Sequence, residues 1–192
     1  MPRAKTADKE TTILEAASRV FALRPFHEVL IDDIAAEARI GKGTIYRYFE
    51  TKEDLYFAAV LFGMDRVAEA LESGLGAEHT TSDRLERIAR EILEYFWDRR
   101  YLIPMLQHDD EDPSRKDELL KRRQAIVRFA QETILEGIER RELRGIDARI
   151  GAELFLGMVR SANLFRADGD RLPDLCRQIT DVFLEGVRRE KA

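Results

Sequence analysis

The 192-residue chain is 44% hydrophobic and 36% charged, with five prolines and eleven glycines, which excludes a disordered polymer and fits one good-sized domain or a small module joined to a larger one. One cysteine, Cys176, excludes an internal disulfide framework, and three scattered histidines, His27, His79 and His108, make no metal site with it, so no metal and no cofactor are expected. A formal charge of −5 excludes nucleic-acid binding by bulk charge; residues 1–50 balance eight Lys and Arg against eight Asp and Glu, so the acidic excess lies beyond them and any such binding must be local to that part.

Ile13, Ala16, Ala17, Val20 and Phe21 recur at helical spacing and predict a first helix over 7–23, which Pro25 ends. Ile31, Ile34, Ala35 and Ala38 predict a two-turn helix, with Asp32 and Asp33 at the positive end of its dipole. The step Arg39-Ile40-Gly41 breaks this pattern, and a third short helix is expected over 42–49. Thr51 and Asp54 then form a near capping box for a fourth helix through Leu55, Ala58, Ala59, Phe62, Val67, Ala70 and Leu71, with a stop at Ser73-Gly74-Leu75-Gly76. Further helices are expected over 82–99, 102–107, 114–141, 146–167 and 172–189, about nine in all, and no strand. The N-terminus has basic residues without an apolar run behind them. Nowhere do about 18 apolar residues follow one another, so neither a leader nor a membrane span is expected, and the place of work is the cytoplasm, on the nucleoid.

Two short helices joined by a tight turn with Gly have the dimensions of a helix-turn-helix, whose second helix enters the major groove of DNA. Projecting residues 42–49 as a helix puts Ile45 and Phe49 on one side and Gly43, Thr44 and Arg47 on the other. Gly43 lets the backbone approach closely, Thr44 can bond a base or phosphate and touch a thymine methyl, and Arg47 can bridge a guanine edge. Tyr46 and Tyr48 flank this face, and the pattern alone leaves open whether they meet phosphates or pack between helices.

These residues carry a family resemblance. Ile-Leu-Glu-Ala-Ala at 13–17, Phe21-Ala22, Ile34-Ala35, the run from Gly41 to Phe49 and Lys52-Glu53-Asp54-Leu55 together resemble the DNA-binding domain of the tetracycline-repressor (TetR) family. The resemblance implies an all-α chain: a three-helix DNA-binding domain over 7–54 with its motif at 31–50, and a helical ligand-binding and dimerisation domain over 55–192. It also implies that Lys42, Gly43, Thr44, Tyr46, Arg47 and Tyr48 lie on the recognition helix and that Lys52 meets a phosphate, with Arg3 and Lys5 as possible arm contacts. Three positions depart from the family pattern. Arg39 stands where Gly is usual in the turn, where a left-handed residue costs about 1 to 2 kcal/mol unless the turn is shaped differently. Leu30 replaces a capping Ser or Thr, and Pro25 replaces a common Gly.

Residues 146–167 hold too many apolar side chains for one buried stripe, so this helix is expected to bury two faces. Leu154, Phe155, Met158, Ala162 and Phe165, with Leu175, Ile179, Val182 and Phe183 on the last helix, are expected at a homodimer seam, as the resembling family implies. A fully buried central helix in a monomer is the competing reading. Dimerisation would set two recognition helices about 34 to 36 Å apart on a palindromic operator in double-stranded DNA. Phe62, Phe96, Trp97, Tyr101, Met105 and Phe129 are expected together to line a pocket for a small apolar ligand, although each taken singly reads more readily as core. His108 and the acidic run Asp109 to Asp112 read as an exposed loop, or as an entrance favouring cations.

Enzyme motifs are missing. Glu-x-x-His pairs of a di-iron bundle do not occur, and neither does a Gly-rich phosphate loop or a Gly-x-Ser-x-Gly elbow. The expected function is a regulator of transcription, a repressor released from its operator by the ligand. The alternative is a dimeric helical module, binding a ligand or a protein, that has lost DNA.

Overall fold

The structure is a computed structural model and describes residues 3–73, 80–99, 102 and 113–187, with side chains from residue 9 onward. Eight α-helices make up the described residues: α1 (Arg3–Leu23), α2 (Ile31–Ala38), α3 (Lys42–Ile45), α4 (Lys52–Ser73), α5 (Thr81–Phe96), α6 (Pro113–Glu139), α7 (Ala148–Phe165) and α8 (Leu172–Val187). A 3-10 turn, Phe26–Glu28, follows Pro25, which cannot continue α1. The helix expected over 102–107 falls, apart from Leu102, outside the described residues.

Two apolar clusters organise the chain. The first joins Ile13, Ala17 and Phe21 of α1, Ile34 and Ala38 of α2, Ile45 and Phe49, and Leu55, Ala59 and Val60 of α4. The second joins Met64, Val67 and Leu71 of α4 to the inner faces of α5, α6, α7 and α8. The N-terminal core therefore reaches past residue 54 to Val60, and α4 belongs to both clusters. Leu119 of α6 packs against both.

Local chemistry fixes the helix ends. Thr51 Oγ1 accepts from the Asp54 amide at 3.0 Å and Asp54 Oδ2 accepts from the Thr51 amide at 3.0 Å, a reciprocal box that starts α4. Thr80 and Asp147 cap α5 and α7 in the same manner, their side chains accepting from the amides of Asp83 and of Arg149 and Ile150. Gly63 lets α4 lie against α5, because a β-carbon there would come within 2.6 Å of the Tyr95 ring.

The α2 turn answers the question posed by Arg39. Arg39 takes the left-handed conformation, φ 56° and ψ 43°. The Ile40 amide donates to Ala35 O at 3.0 Å and the Arg39 amide to Ala36 O at 3.1 Å, the two bonds of a Schellman motif. The turn keeps its usual shape and is strained. Arg141 repeats the arrangement after α6, at φ 61°, with Glu142 N bonded to Gly137 O at 2.9 Å.

Candidate nucleic-acid interface and ligand cavity

Helix α3 is anchored by Ile45, 1% exposed, and by Phe49 just beyond it, 8% exposed, while Gly43, Tyr46 and Arg47 face outward and Thr44 is half-buried. Its α-helical turn ends at Ile45, short of the expected 49. The next residues tighten: Arg47 N donates to Thr44 O at 3.2 Å and Tyr48 N to Ile45 O at 2.9 Å, both three residues back. Two β-branched residues and a glycine in so short a segment give little reason to extend an α-helix. Tyr46 is 46% exposed, whereas Tyr48 is half-buried, tilted against Phe49 with ring centroids 6.5 Å apart. The two tyrosines that the pattern left open thus differ: Tyr46 reaches outward and Tyr48 packs. A β-carbon added to Gly43 would meet nothing within 4 Å, so its backbone is open to approach from outside.

Charge around α3 is locally managed. Lys42 Nζ donates to Asp32 Oδ2 at 2.9 Å on the surface, and that bond raises the lysine above its ordinary pKa. Arg47 makes no ion pair among the described residues, which leaves its guanidinium for an outside partner. Lys52 is placed differently from a free phosphate ligand. Its ammonium donates to Phe26 O at 3.0 Å and Val29 O at 3.1 Å, and lies 4.2 Å over the Phe26 ring. Leu30, 61% exposed, offers no capping hydroxyl, and Asp33 Oδ2 instead accepts from the Leu30 amide at 3.1 Å and from Arg24 at 2.9 Å. The side chains of Arg3 and Lys5 lie outside the described residues.

An apolar cavity opens between α4, α5, α6 and α7, with about 770 Å³ of empty space when its mouth is included. Met64, Ile92, Phe96, Leu119, Ile126, Leu156 and Val159 form its apolar wall, and Arg123, Arg160 and Asn163 add polar groups. Arg123 binds Glu153 bidentately, one bond at 2.8 Å, which raises the arginine and lowers the carboxyl relative to their ordinary pKa values. Arg160 is exposed and makes no ion pair among the described residues.

Of the residues expected to line a pocket, Phe96 lines this cavity. Phe129 is instead buried in the second cluster, 7% exposed, and Phe62 is half-buried on α4 away from the lining. Trp97 stacks under the Arg166 guanidinium, 4.2 Å from the ring centroid, and its carbonyl accepts from the same arginine. Tyr101, Met105, His108 and the acidic run 109–112 lie outside the described residues. Sequence reasoning missed Arg123, Arg160 and Asn163. An amide within the apolar run of α7 was the one available signal.

The expected seam residues fall into two groups. Leu154, 61% exposed, Phe165, 84%, and Val182, 61%, stand outward with Ile150, 48%, while Met158, Ala162 and Leu175 are half-buried beside them. Phe155, Ile179 and Phe183 are corrected: they lie inside the subunit, at 0%, 6% and 6% exposure, with the Phe155 and Phe183 rings edge to face at 5.2 Å. Neighbours such as Leu154 and Phe155 point about 100° apart on a helix, so the two apolar faces of α7 divide cleanly between core and surface.

No described helix is long and apolar enough to cross a membrane. The chain matches the family model for bacterial regulatory proteins of the tetR family over residues 13–59, and that for the tetracyclin repressor-like C-terminal domain over residues 78–187. It is 24% identical to the fatty acid metabolism regulator protein of Bacillus subtilis over 191 residues, covering 95% of this chain and 97% of that one. Among solved structures it is similar to the transcriptional regulator FadR from Bacillus subtilis in complex with stearoyl-CoA, with a TM-score of 0.76 at 20% identity, covering 93% and 99% of the two chains. A transcriptional regulator from Saccharomonospora viridis in complex with choline gives a TM-score of 0.78 at 22% identity, covering 96% and 100%.

Proposed function

The chain belongs to the TetR family of bacterial regulatory proteins, is a transcriptional regulator and not an enzyme, and on that premise we propose that it is a homodimeric repressor released from a palindromic operator by an acyl ligand with an acidic head. The observation that carries the DNA reading is the split of residues 43–49: Ile45 and Phe49 are anchored inward while Thr44 and Arg47 remain available to base edges. Phosphate contacts come from backbone around Gly43 and from Tyr46 and Lys42; Lys52 serves to brace the α1–α2 link, with one ammonium proton left for a phosphate. The outward apolar stripe of Leu154, Phe165 and Val182 is the seam, which pairs two reading heads on one face of the duplex.

The ligand class follows from the cavity and from the likeness to a Bacillus subtilis fatty acid metabolism regulator and to a Bacillus subtilis regulator structure bound to stearoyl-CoA. An apolar wall with Arg123 and Arg160 on its lining suits an apolar chain ending in an anion. The same arginines oppose a quaternary ammonium such as choline, the ligand of another neighbour. Ligand and operator act on each other through Leu119, which lines the cavity and touches the N-terminal cluster, and through the ion pairs Asp54 to Arg115 and Asp65 to Arg122, the latter at 3.2 Å. A ligand that prefers another spacing of the two heads must lower DNA affinity by the factor by which DNA lowers its own.

Selection of bound fragments from a random DNA library tests this reading. A palindromic consensus is expected, bound in a salt-dependent way and released by long-chain fatty acid or acyl-CoA. Thr44→Ala and Arg47→Ala should each relax or abolish that selection while the protein stays folded and dimeric. Enrichment of no sequence would favour a helical dimer that has lost DNA; unchanged selectivity in both variants would remove the assigned readers.

A further inference from the structure

Within the cavity one polar group has no counterpart. Asn163 is 4% exposed on α7, lines the cavity with Phe96 and Leu156, and its Oδ1 has no hydrogen-bond partner. The amide orientation is fixed by its other end, since Nδ2 donates to Phe96 O at 3.4 Å and a flipped amide would set two oxygens against each other. A buried carboxamide can accept two bonds at that oxygen, and leaving it unpaired is unfavourable. Among the described lining residues beside it, Phe96, Leu156 and Val159 supply no side-chain donor, and Arg160, one turn away, is exposed.

Along α7 the cavity lining runs from Asn163 through Arg160, Val159 and Leu156 toward Glu153, which holds Arg123. At about 1.5 Å per residue this stretch is about 15 Å long. The end held by Arg123 and Glu153 is the outer one, Arg160 stands exposed one turn from Asn163, and Asn163 marks the buried end next to Phe96. We propose that Asn163 selects the ligand: the acyl chain that fits this cavity carries a hydroxyl at its inner end, which donates to Asn163 Oδ1 while the acid meets Arg123. The inference rests on the acyl-ligand reading given above and names a narrower class within it, hydroxylated fatty acids.

The test compares 12-hydroxydodecanoic acid with dodecanoic acid by calorimetric titration of the full-length protein. These chains, with C–C bonds near about 1.5 Å, match the length of the lined stretch. The hydroxy acid is expected to bind about fivefold to tenfold more tightly, the effect of one net hydrogen bond. In Asn163→Leu the order should reverse, because the hydroxyl then enters an apolar wall unpaired. Circular dichroism checks that this variant is folded, and if it is not, the comparison on the unaltered protein decides alone. Equal or tighter binding of dodecanoic acid to the unaltered protein overturns the selection by Asn163 and leaves the acyl reading intact. A preference that survives in Asn163→Leu overturns it likewise, and binding of neither acid overturns both.

Discussion

Replacing Arg39 by glycine should make the protein more stable. Arg39 holds φ 56° and ψ 43° in the turn between α2 and α3, where a β-carbon crowds its own carbonyl. That strain costs about 1 to 2 kcal/mol, and glycine removes it. Glycine also frees the unfolded chain, which returns about 0.4 to 1 kcal/mol, so the net gain centres on about 0.8 kcal/mol. In a chain of this size that corresponds to a rise in Tm of about 1 to 4 °C. The Schellman bonds to Ala35 O and Ala36 O and the partly buried Ile40 hold the turn in place, so Arg39→Gly should keep its shape. Thermal unfolding followed by circular dichroism measures the difference, with protomer concentration held constant because dimerisation adds to apparent stability. Arg39→Ala is the control: it removes the exposed side chain and keeps the β-carbon, and should stay within about 0.5 kcal/mol of the parent. If Arg39→Gly melted at or below the parent, or if Arg39→Ala gained as much, strain at this turn would not be the reason.

On the proposed seam, Leu154→Glu should give a monomer of unchanged helix content, since a charge placed there would be desolvated facing its own copy; light scattering on a sizing column reads the mass, and a dimer that persists would move the seam elsewhere. Asp54 should contribute to acid sensitivity. Its carboxyl is held below the ordinary aspartate pKa first by the Thr51 hydroxyl, with the Thr51 amide and Arg115 adding to the shift. A depressed folded value means stability that is present above the unfolded pKa and lost as pH falls through the folded one. Asp54→Asn should therefore be less stable at neutral pH and show a flatter loss between roughly pH 5 and 3 in urea titrations, and parallel acid limbs for the two proteins would contradict this.

What the sequence revealed was whatever periodicity controls. Ile45 and Phe49 share one side at helical spacing, so their inward placement was readable, and the surplus of apolar residues in α7 announced two apolar faces. Which face turns outward was not readable, because Leu154 and Phe155 are equally apolar and the packing of α6, α8 and α5 against α7 decides between them. The cavity was hidden for a related reason. Large aromatic side chains such as Phe129 fill space, whereas a cavity lies where side chains fail to meet, here among Ile, Leu, Val and Met. The oddity of Arg39 was visible as a missing glycine; that the chain would accept the strain and keep the turn depended on the bonds closing behind it.

Lys52 bonds two carbonyls of the α1–α2 link and covers Phe26, whose ring also contacts Phe21 and Tyr56, at 6.0 Å and 5.0 Å between centroids. These ties cast the start of α4 and the DNA-facing unit as one solid piece. In the proposed dimer a swing of α4 would carry that piece bodily, altering how far it stands from its twin while leaving its own reach to the bases in register. Sequence logos gathered with and without effector should then share the same letters and differ only in height.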